Sequence, residues 1–202
     1  LHLCHHNLES IDTDKIDSGN AKHNLLLEVC YAAKHEGDLI NTHYTPHQQK
    51  YKDTGTASQL CTELARSFAD IGDIIRGKDL FYGNKQEKEQ RDKLDEKLKD
   101  IFKEIHGGLS KNGAQTYYND NDKDGNYYQL REDWWTANRE TVWKALTCDV
   151  RHDAQYFRTT CNSADGNSQS QATKQCRCQK KNGKDDTDQV PTYFDYVPQY
   201  LR

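Results

Sequence analysis

The chain has 202 residues, of which 34% are hydrophobic and 30% are charged, and its formal net charge at pH 7 is −4. This length suffices for one domain with its own core, or for a large part of a bigger domain. The acidic balance argues against a dedicated nucleic-acid-binding protein, because such domains carry a basic excess that displaces counterions from phosphate. Stretches with the period-two alternation of strands are scarce, so the core must come from narrow apolar stripes on helices.

The first two predicted elements are helices. Residues 23–36 have helical apolar spacing, and Gly37 is predicted to end that helix. A second helix is predicted over residues 56–76, where Thr56 and Gln59 fit a capping box. Its apolar residues recur at the spacing of one helix face: Leu60, Leu64, Phe68, Ile71 and Ile75. The charged residues of this helix are expected to face away from that stripe: Arg66, Asp70 and Asp73.

Two further helices follow along the chain. The third is predicted from residue 85 to just before Gly107, and its apolar stripe consists of Leu94, Leu98, Ile101, Phe102 and Ile105. The charged residues of its first turns are interpreted as a solvated face: Glu87, Glu89, Arg91, Asp92 and Lys93. The fourth helix is predicted over residues 133–147 and buries large apolar side chains from the set Trp134, Trp135, Val142, Trp143 and Leu146.

Residues 162–188 are rich in Ser, Gln, Asn, Lys and Asp, so we expect a long mobile loop held only by its cysteines. Five basic residues cluster in this segment: Lys174, Arg177, Lys180, Lys181 and Lys184. Such a cluster binds sulfated glycans through multivalent charge pairing, with an affinity that falls steeply with salt. The alternative is a merely soluble loop, because acidic residues follow at once and neutralise the cluster: Asp185, Asp186 and Asp188.

Seven cysteines lie along most of the chain: Cys4, Cys30, Cys61, Cys148, Cys161, Cys176 and Cys178. This content indicates an oxidising compartment and a disulfide framework. Because the number is odd, one thiol is free or pairs outside this sequence, and the spacing does not select among the possible pairings. No apolar run approaches the length of a membrane span, and no signal-peptide core is recognisable. We therefore expect a piece of a larger extracellular protein.

Several local patterns resemble catalytic or metal sites without completing them. Residues 120–125 match the start of an EF-hand calcium loop, but the twelfth position is Arg131, where a bidentate carboxylate is required. His152 and Asp153 faintly resemble the His-Asp pair of secreted phospholipases A2, yet the Gly-rich calcium loop is missing, so a calcium-dependent lipase is a distant third alternative. Residues 2–6 and 176–178 lack the paired ligand spacing of zinc sites. We predict no catalytic residue, no metal and no cofactor.

Three longer blocks carry a specific resemblance. Residues 65–77 read ARSFADIGDIIRG, residues 134–143 read WWTANRETVW and residues 191–202 read PTYFDYVPQYLR. These blocks resemble the Duffy-binding-like domains of the malaria parasite erythrocyte membrane protein 1 family, and more narrowly their alpha class. Leu3, Cys4 and residues 7–9 also fit the segment just upstream in that family, so the resemblance covers nearly the whole chain.

The resemblance implies an all-α, disulfide-linked helical bundle with long loops. It also implies display outside the infected red cell, as part of a membrane-anchored variant adhesin. Residues 1–22 correspond to the end of a first subdomain, residues 23–198 to the helical second subdomain, and residues 199–202 to the beginning of a third. The odd cysteine then has a natural partner outside this fragment.

The resemblance further implies attachment to host receptors rather than catalysis. Alpha-class domains are associated with rosetting through heparan sulfate, blood-group sugars or complement receptor. The expected partners are therefore erythrocyte or endothelial surface receptors and adjacent domains of the same adhesin, with no nucleic acid among them. Receptor choice is expected in variable loops such as residues 85–91, 113–129 and 162–188. The alternative function is a structural spacer whose neighbouring domains carry receptor binding.

Overall fold

The structure is a computed structural model that describes residues 20–50, 60–80, 84–109, 113–118, 125–162, 169–180 and 182–202. Most of these residues are helical: α1 (Ala21–Lys50), α2 (Leu60–Arg76), α3 (Lys85–Gly107), α4 (Ala114–Tyr117) and α5 (Tyr128–Leu146). A short antiparallel pair joins β1 (Cys161–Asn162) to β2 (Gln169–Ser170), with Cys161 opposite Ser170. Two 3-10 turns follow: Phe194–Tyr196 and Gln199–Leu201. The predicted all-α class, linked by disulfides, is confirmed.

Helix α5 lies at the centre of the bundle, where it packs against α1, α2 and α3. Its tryptophans supply the contacts. The ring of Phe68 lies 5.1 Å from the rings of both Trp135 and Trp143, measured between centroids. Trp134 meets Phe102 of α3 edge-on at 6.2 Å. All members of the apolar stripes predicted for the second and third helices are buried, as the spacing indicated.

Helix α1 runs to Lys50, so the prediction that Gly37 ends it was wrong. A Cβ atom at position 37 would lie 1.9 Å from the carbonyl oxygen of Leu146, at the end of α5. The missing side chain therefore lets the two helices touch, and it does not mark a helix end. The same reasoning applies to Gly72 of α2, where a Cβ atom would lie 2.8 Å from Cζ2 of Trp135.

Other helix boundaries follow the sequence more closely. Helix α3 begins with a capping box, in which Glu87 N donates to Asn84 Oδ1 at 2.9 Å and Asn84 N donates to Glu87 Oε2 at 3.0 Å. Residues 85–91 are thus the first turns of a helix and not a loop. Helix α5 begins at Tyr128, earlier than the predicted residue 133. The capping residues predicted for the second helix lie outside the described residues: Thr56 and Gln59.

The predicted long loop over residues 162–188 is partly structured in the portion that the structure describes. Tyr156 N donates to the carbonyl oxygen of Ala172, and Cys178 N donates to that of Gln189, each at 3.0 Å. Ala172 is fully buried. The expectation that only cysteines hold this segment was therefore wrong. Among the described residues, no helix is both long enough and apolar enough to cross a membrane.

Candidate functional site

Part of the predicted basic cluster lies on a tight turn. Lys180 N donates to Lys184 O, and Gly183 N donates to Lys180 O, each at 2.8 Å. These bonds close residues 180–184 into what we call the lysine turn. The side chains of Lys180 and Lys184 are exposed, so the base of the turn presents two positive charges to solvent. Lys181, the third lysine predicted here, lies outside the described residues.

The other two predicted basic residues lie on a neighbouring turn. Lys174 is exposed, and its carbonyl oxygen accepts from Arg177 N at 2.9 Å. The guanidinium of Arg177 points at the end of α5, where Nε donates to Thr147 Oγ1 at 2.8 Å and Nη2 donates to Lys144 O at 2.9 Å. There it satisfies a terminal carbonyl and lies at the negative end of the helix dipole. Arg177 therefore has a structural role, whereas Lys174 faces solvent.

Burial also affects the charge of Arg177. It lowers the pKa of the guanidinium below its usual value, while nearby Asp185 acts in the opposite direction. Because an arginine pKa is so high, the side chain stays charged at neutral pH. The positive charge of Arg177 is partly balanced by the carbonyl groups at the end of α5 and by Asp185. Arg177 therefore contributes less to the positive surface potential than the exposed lysines do.

The acidic residues after the lysine turn have partners of their own. Asp186 Oδ1 accepts from Thr187 N at 2.7 Å, and Asp188 Oδ1 accepts from Val190 N at 3.0 Å. Asp188 Oδ2 also lies 3.9 Å from Nη1 of Arg139. Within the described part of the chain, no carboxylate forms a salt bridge with Lys180 or Lys184. Asp186 and Asp188 are therefore engaged by nearby backbone and, for Asp188, also by Arg139.

Two disulfides anchor this segment to the bundle. Cys176 is joined to Cys61 of α2, and Cys178 is joined to Cys161 of β1. Cys176 and Cys178 are thus joined to two different elements, α2 and β1. These two bonds hold the short stretch around Arg177 in place. The half-buried Cys30 and the exposed Cys148 are free within the described residues, and the predicted Cys4 lies outside them. The described residues contain no group of three or more His, Cys, Asp and Glu arranged to hold a metal.

The three sequence blocks meet at the C-terminal strap, which we define as residues 191–202. The buried carboxylate of Asp195 accepts from Nε and Nη2 of Arg139 at 2.8 and 2.9 Å, and from Nε1 of Trp135 at 3.0 Å. Arg76 donates to the carbonyl oxygen of the same Asp195. One residue of the strap therefore binds both other blocks. A forked arginine-carboxylate pair of this kind fixes position as well as charge.

Burial and pairing act on Arg139 in opposite directions. Burial favours the neutral form, but the hydrogen bonds that Arg139 donates to Asp195 outweigh it and raise the pKa of Arg139 above its usual value. The guanidinium also lies over aromatic rings, with its Cζ 5.6 Å from the centroid of Phe68 and 5.3 Å from that of Tyr196. The ion pair is thus enclosed between α2, α5 and the strap.

Arg202 fastens the end of the strap to α2. Its Nη1 donates to Asp70 Oδ1 at 3.0 Å, its Nη2 donates to Asp73, and its Nε donates to Val197 O at 2.8 Å. Asp73, expected to face away from the core, is buried and also pairs with Arg76 at 3.0 Å. Burial raises the pKa values of Asp70 and Asp73, although the charge of Arg202 partly opposes this.

Local sequence patterns do not reveal this charge network. The three blocks were recognised by resemblance and by their apolar stripes, whereas their charged residues form ion pairs across the fold: Arg139 with Asp195, and Arg202 with Asp70 and Asp73. A signal was present, because each block places an arginine or aspartate among aromatic or aliphatic residues. A charge in such surroundings needs a partner. The partner cannot be named from local spacing.

The patterns that resembled enzyme sites have structural explanations. Arg131, at the failed twelfth position of the calcium-loop pattern, is fully buried and donates to Asp95 Oδ1 at 2.9 Å. Residues 120–124 lie outside the described residues. His152 and Asp153 lie in a turn after α5 and not on a helix, so the His-Asp helix of a phospholipase is not formed.

A helical bundle with an irregular segment tied down by two disulfides and an exposed basic turn is typical of a binding domain more than of an enzyme cleft. A sequence model described as the Duffy binding domain matches residues 1–202, the entire chain. The chain therefore belongs to the Duffy binding domain family. No curated protein matches it significantly.

Solved structures refine this assignment. The chain is 39% identical to the NTS-DBL1(alpha-1) domain of Plasmodium falciparum membrane protein 1 (PfEMP1) from the varO strain, with a TM-score of 0.70, and the match covers 99% of this chain and 40% of that one. The NTS-DBL1-alpha and CIDR-gamma double domain of the P. falciparum varO protein gives 40% identity and a TM-score of 0.71, covering 99% of this chain and 25% of that one.

A third similar structure is the ICAM-1-binding PfEMP1 IT4var13 DBLbeta domain. It is 32% identical, with a TM-score of 0.68, and the match covers 100% of this chain and 39% of that one. The chain thus spans about two fifths of the length of these single-domain structures. The resemblance to Duffy-binding-like domains of erythrocyte membrane protein 1 is confirmed.

Proposed function

We propose that this chain is part of an extracellular adhesion module of a membrane-anchored variant surface antigen that binds receptors on host cells. Membership of the Duffy binding domain family supports this proposal. A DBLbeta domain that is 31% identical was solved bound to ICAM-1, so a related domain uses this fold to bind another protein. For the present chain, we infer the receptor class from its own exposed basic turn.

The lysine turn is the surface that we assign to receptor binding. The observation that carries this assignment is the exposure of Lys180 and Lys184 at the base of a turn closed by two backbone hydrogen bonds. Because hydrogen bonds hold the backbone of Lys180, Gly183 and Lys184, binding a ligand here costs less conformational entropy than ordering a free loop. Lys174 adds a third exposed charge on the adjacent turn, and Lys181 completes the predicted set.

The ligand class that suits this surface is a sulfated glycan such as heparan sulfate. Sulfate groups repeat along a glycan of this kind, so several lysines bind it together. Each exposed lysine–sulfate ion pair contributes little on its own. Blood-group sugars lack the sulfate charges of heparan sulfate, so these lysines would add less to their binding affinity. The proposal therefore predicts binding that weakens steeply as salt concentration rises.

Retention on immobilised heparin across a salt gradient tests this assignment. The parent chain, oxidised and monodisperse, is compared with Lys180→Glu/Lys184→Glu. The matched control is Lys93→Glu/Lys103→Glu, which changes two exposed lysines of α3 and shifts the net charge equally. We expect early elution only for the first variant. Equal elution of both variants would show that total charge, and not the lysine turn, sets retention.

The runner-up function is a structural spacer, with receptor binding carried by neighbouring domains of the same adhesin. The varO double domain, of which this chain matches 25%, shows that such neighbours exist in a related protein. A spacer would give no saturable binding to red cells, whereas a binding module would. Both functions are non-catalytic, as the sequence analysis predicts.

We also propose that the subdomain boundaries inferred from the resemblance apply here: residues 1–22, 23–198 and 199–202. The hydrogen bonds that Asp195 accepts from Arg76 of α2 and Arg139 of α5 support the inclusion of residues up to 198 in the helical subdomain. Arg202 then links the beginning of the next subdomain to Asp70 of the bundle.

A further inference from the structure

The lysine turn contains an asparagine followed by a glycine. Asn182 and Gly183 are both exposed, so water reaches the side-chain amide and the peptide bond that follows it. In such a dipeptide the backbone nitrogen of the glycine can attack the side-chain amide carbon of the asparagine and close a succinimide ring. Because glycine has no Cβ atom, no side chain crowds that nitrogen. The dipeptide therefore carries both reactants of a deamidation.

The side-chain amide of Asn182 is already oriented. Its Oδ1 accepts from Lys184 N at 3.1 Å, so the side chain spans the backbone of Gly183. A hydrogen bond to this oxygen also stabilises the negative charge that the oxygen takes up when a nucleophile adds to Cγ. One backbone N–H thus positions the amide and favours attack on it.

The nucleophile is held back by the turn itself. Gly183 N donates to the carbonyl oxygen of Lys180 at 2.8 Å, and a nitrogen whose proton is bound in this way cannot add to Cγ. Gly183 has a φ of 75°, in the left-handed region that glycine adopts without strain. A Cβ atom there would meet nothing within 4 Å, so the peptide has room to rotate once the bond opens. Opening of this exposed hydrogen bond therefore controls the reaction.

The charges around the dipeptide favour the step that follows opening. Lys180 and Lys184 are exposed and lie two residues before and two residues after Asn182. A nearby positive charge stabilises the anionic amide nitrogen and the anionic adduct. The nearest acid in the sequence, Asp185, lies beyond Lys184. Within the described part of the chain neither lysine forms a salt bridge with a carboxylate, so both charges remain available.

We propose that Asn182 is a site of spontaneous deamidation, and that the product changes the charge of the lysine turn. Gly183 N gives its proton to hydroxide and bonds to Cγ of Asn182. The Cγ–Nδ2 bond breaks as the leaving nitrogen takes a proton from water, which releases ammonia and returns the hydroxide. Water then adds to one of the two carbonyl carbons of the succinimide and breaks its C–N bond, which gives aspartate or isoaspartate at position 182. In sum, one water is consumed, the ammonia takes up the proton of the new acid, and no electrons are transferred.

The effect of this modification on binding rests on the function proposed above. A carboxylate at position 182 places a negative charge between Lys180 and Lys184, so it weakens the attraction to a sulfated glycan. Isoaspartate also adds a methylene to the backbone of the turn, which displaces Gly183 from Lys180. A bound glycan, in turn, favours the closed turn with its hydrogen bond intact. The free domain therefore loses positive charge from this surface with time, whereas the bound domain keeps it.

Mass spectrometry of the incubated chain tests the chemistry without reference to any receptor. The oxidised chain is kept at neutral pH and physiological temperature, then reduced, alkylated and digested with a protease that cleaves before aspartate, which yields peptide 165–184. We expect the mass gain of deamidation at Asn182, with a new cleavage before position 182 in the fraction that has become aspartate. The matched control is Asn182→Gln, whose longer side chain forms the ring far less readily. Absence of modification at position 182, after a synthetic peptide of residues 179–188 has been fully converted in the same buffer, would overturn the proposal.

The same reference peptide tests the control by the turn. In the peptide the bond from Gly183 to Lys180 is not held by the rest of the fold. We therefore expect Asn182 to deamidate about fivefold more slowly in the folded chain, which is the factor that one net hydrogen bond supplies. Equal rates in the chain and in the peptide would contradict control by the turn.

Elution from immobilised heparin separates this modification from the proposed receptor. We expect Asn182→Asp, which reproduces the aspartate product, to elute at lower salt than the parent, and Asn182→Gln to elute with the parent. Soluble heparin is expected to slow deamidation of the parent. If the parent deamidates but is not retained on heparin, the proposed function fails and the modification stands. If the parent is retained, and Asn182→Asp elutes with it or heparin leaves the rate unchanged, the link between modification and binding is contradicted.

Discussion

The C-terminal strap and the segment that carries the lysine turn are both irregular backbone, yet they are held in different ways. The strap is fixed by buried side chains, above all by Asp195, which binds both Arg139 and Trp135. The lysine-turn segment is fixed by disulfides, by backbone hydrogen bonds and by Arg177, while its described lysines face water. The side chains of the strap are therefore required for folding, whereas the exposed lysines of the turn are not.

This difference shows how one domain combines a specific fold with a changeable surface. A substitution in the strap removes a partner from a buried charge, which is costly. A substitution in the lysine turn removes an exposed charge, which costs almost nothing in stability. If the lysine turn binds the receptor, as we propose, its specificity can change there without loss of the fold.

The largest loss of stability is expected when a disulfide that holds the lysine-turn segment is removed. Cys61 and Cys176 are separated by 115 residues, so replacing both with Ala is expected to lower the free energy of unfolding by about 5 kcal/mol through the chain-entropy term. The Cys161–Cys178 bond spans 17 residues and is expected to contribute about 3 kcal/mol. Urea unfolding of both double variants checks the order. An equal loss would mean that loop length does not set these contributions.

Removing the charge of Asp195 tests the buried side of the comparison. Asp195→Asn leaves Arg139 buried without its counter-ion, so we expect a loss of about 4 kcal/mol in the free energy of unfolding. Asp188→Asn is the matched control, because Asp188 is half exposed and lies 3.9 Å from the same Arg139. That control is expected to lose less than about 1 kcal/mol in denaturant unfolding. Similar losses in the two variants would refute the central role of Asp195.

The packing beside this network is also tight. In Gly72→Ala the new Cβ atom meets the Trp135 ring, 2.8 Å from Cζ2, and that ring is held by its bond to Asp195. We expect a loss of about 2 kcal/mol from overpacking. Gly107→Ala is the control, since a Cβ atom there meets nothing within 4 Å. Thermal unfolding that ranks Gly107→Ala as the more destabilised variant would contradict the close contact.

A smaller effect is expected from Glu132, which joins α5 to the end of α2. Burial acts to raise the pKa of Glu132, but hydrogen bonds from Lys78 and Arg76 outweigh it and hold the pKa below its usual value. A lowered carboxyl pKa contributes stability above the unfolded-state pKa and loses it as the pH falls through the folded-state pKa. Glu132→Gln is therefore expected to cost about 1 kcal/mol at pH 7, with solvent screening of this partly exposed pair included.

The pH dependence provides the check on that expectation. The difference between wild type and Glu132→Gln should shrink as the pH falls below the folded-state pKa of Glu132. Glu104→Gln, at an exposed position of α3, should show a small and constant difference over the same range. A gap for Glu132→Gln that persists in acid would assign its effect to shape and not to charge.

How far the sequence predicted this structure depends on the range of the interaction. The stripe from Leu60 to Ile75 was predicted because helical spacing is a local property, and all of it is buried. Gly37 was misread because its reason lies in Leu146, which is remote in sequence and contacts it only in the folded chain. The same holds for Asp195 and Arg139, whose pairing depends on the fold and leaves no trace in local spacing.

The candidate site likewise has features that local sequence predicts and features that depend on the fold. Exposure of Lys180 and Lys184 could be expected from a polar, basic segment. The capping of α5 by Arg177 could not, since Thr147 and Lys144 lie far upstream in the sequence. Composition therefore identified a basic surface, and only the structure separated its exposed lysines from its structural arginine.

Binding to red cells tests the account most directly. Labelled chain is titrated onto erythrocytes beside Lys180→Glu/Lys184→Glu and the charge-matched Lys93→Glu/Lys103→Glu, after equal urea midpoints have shown that all three are folded. We predict saturable binding for the parent and for the α3 control, competed by soluble heparin, and its loss in the lysine-turn variant. Absence of saturable binding by the parent would contradict the account and favour the spacer, and equal binding by all three proteins would remove the lysine turn from the site.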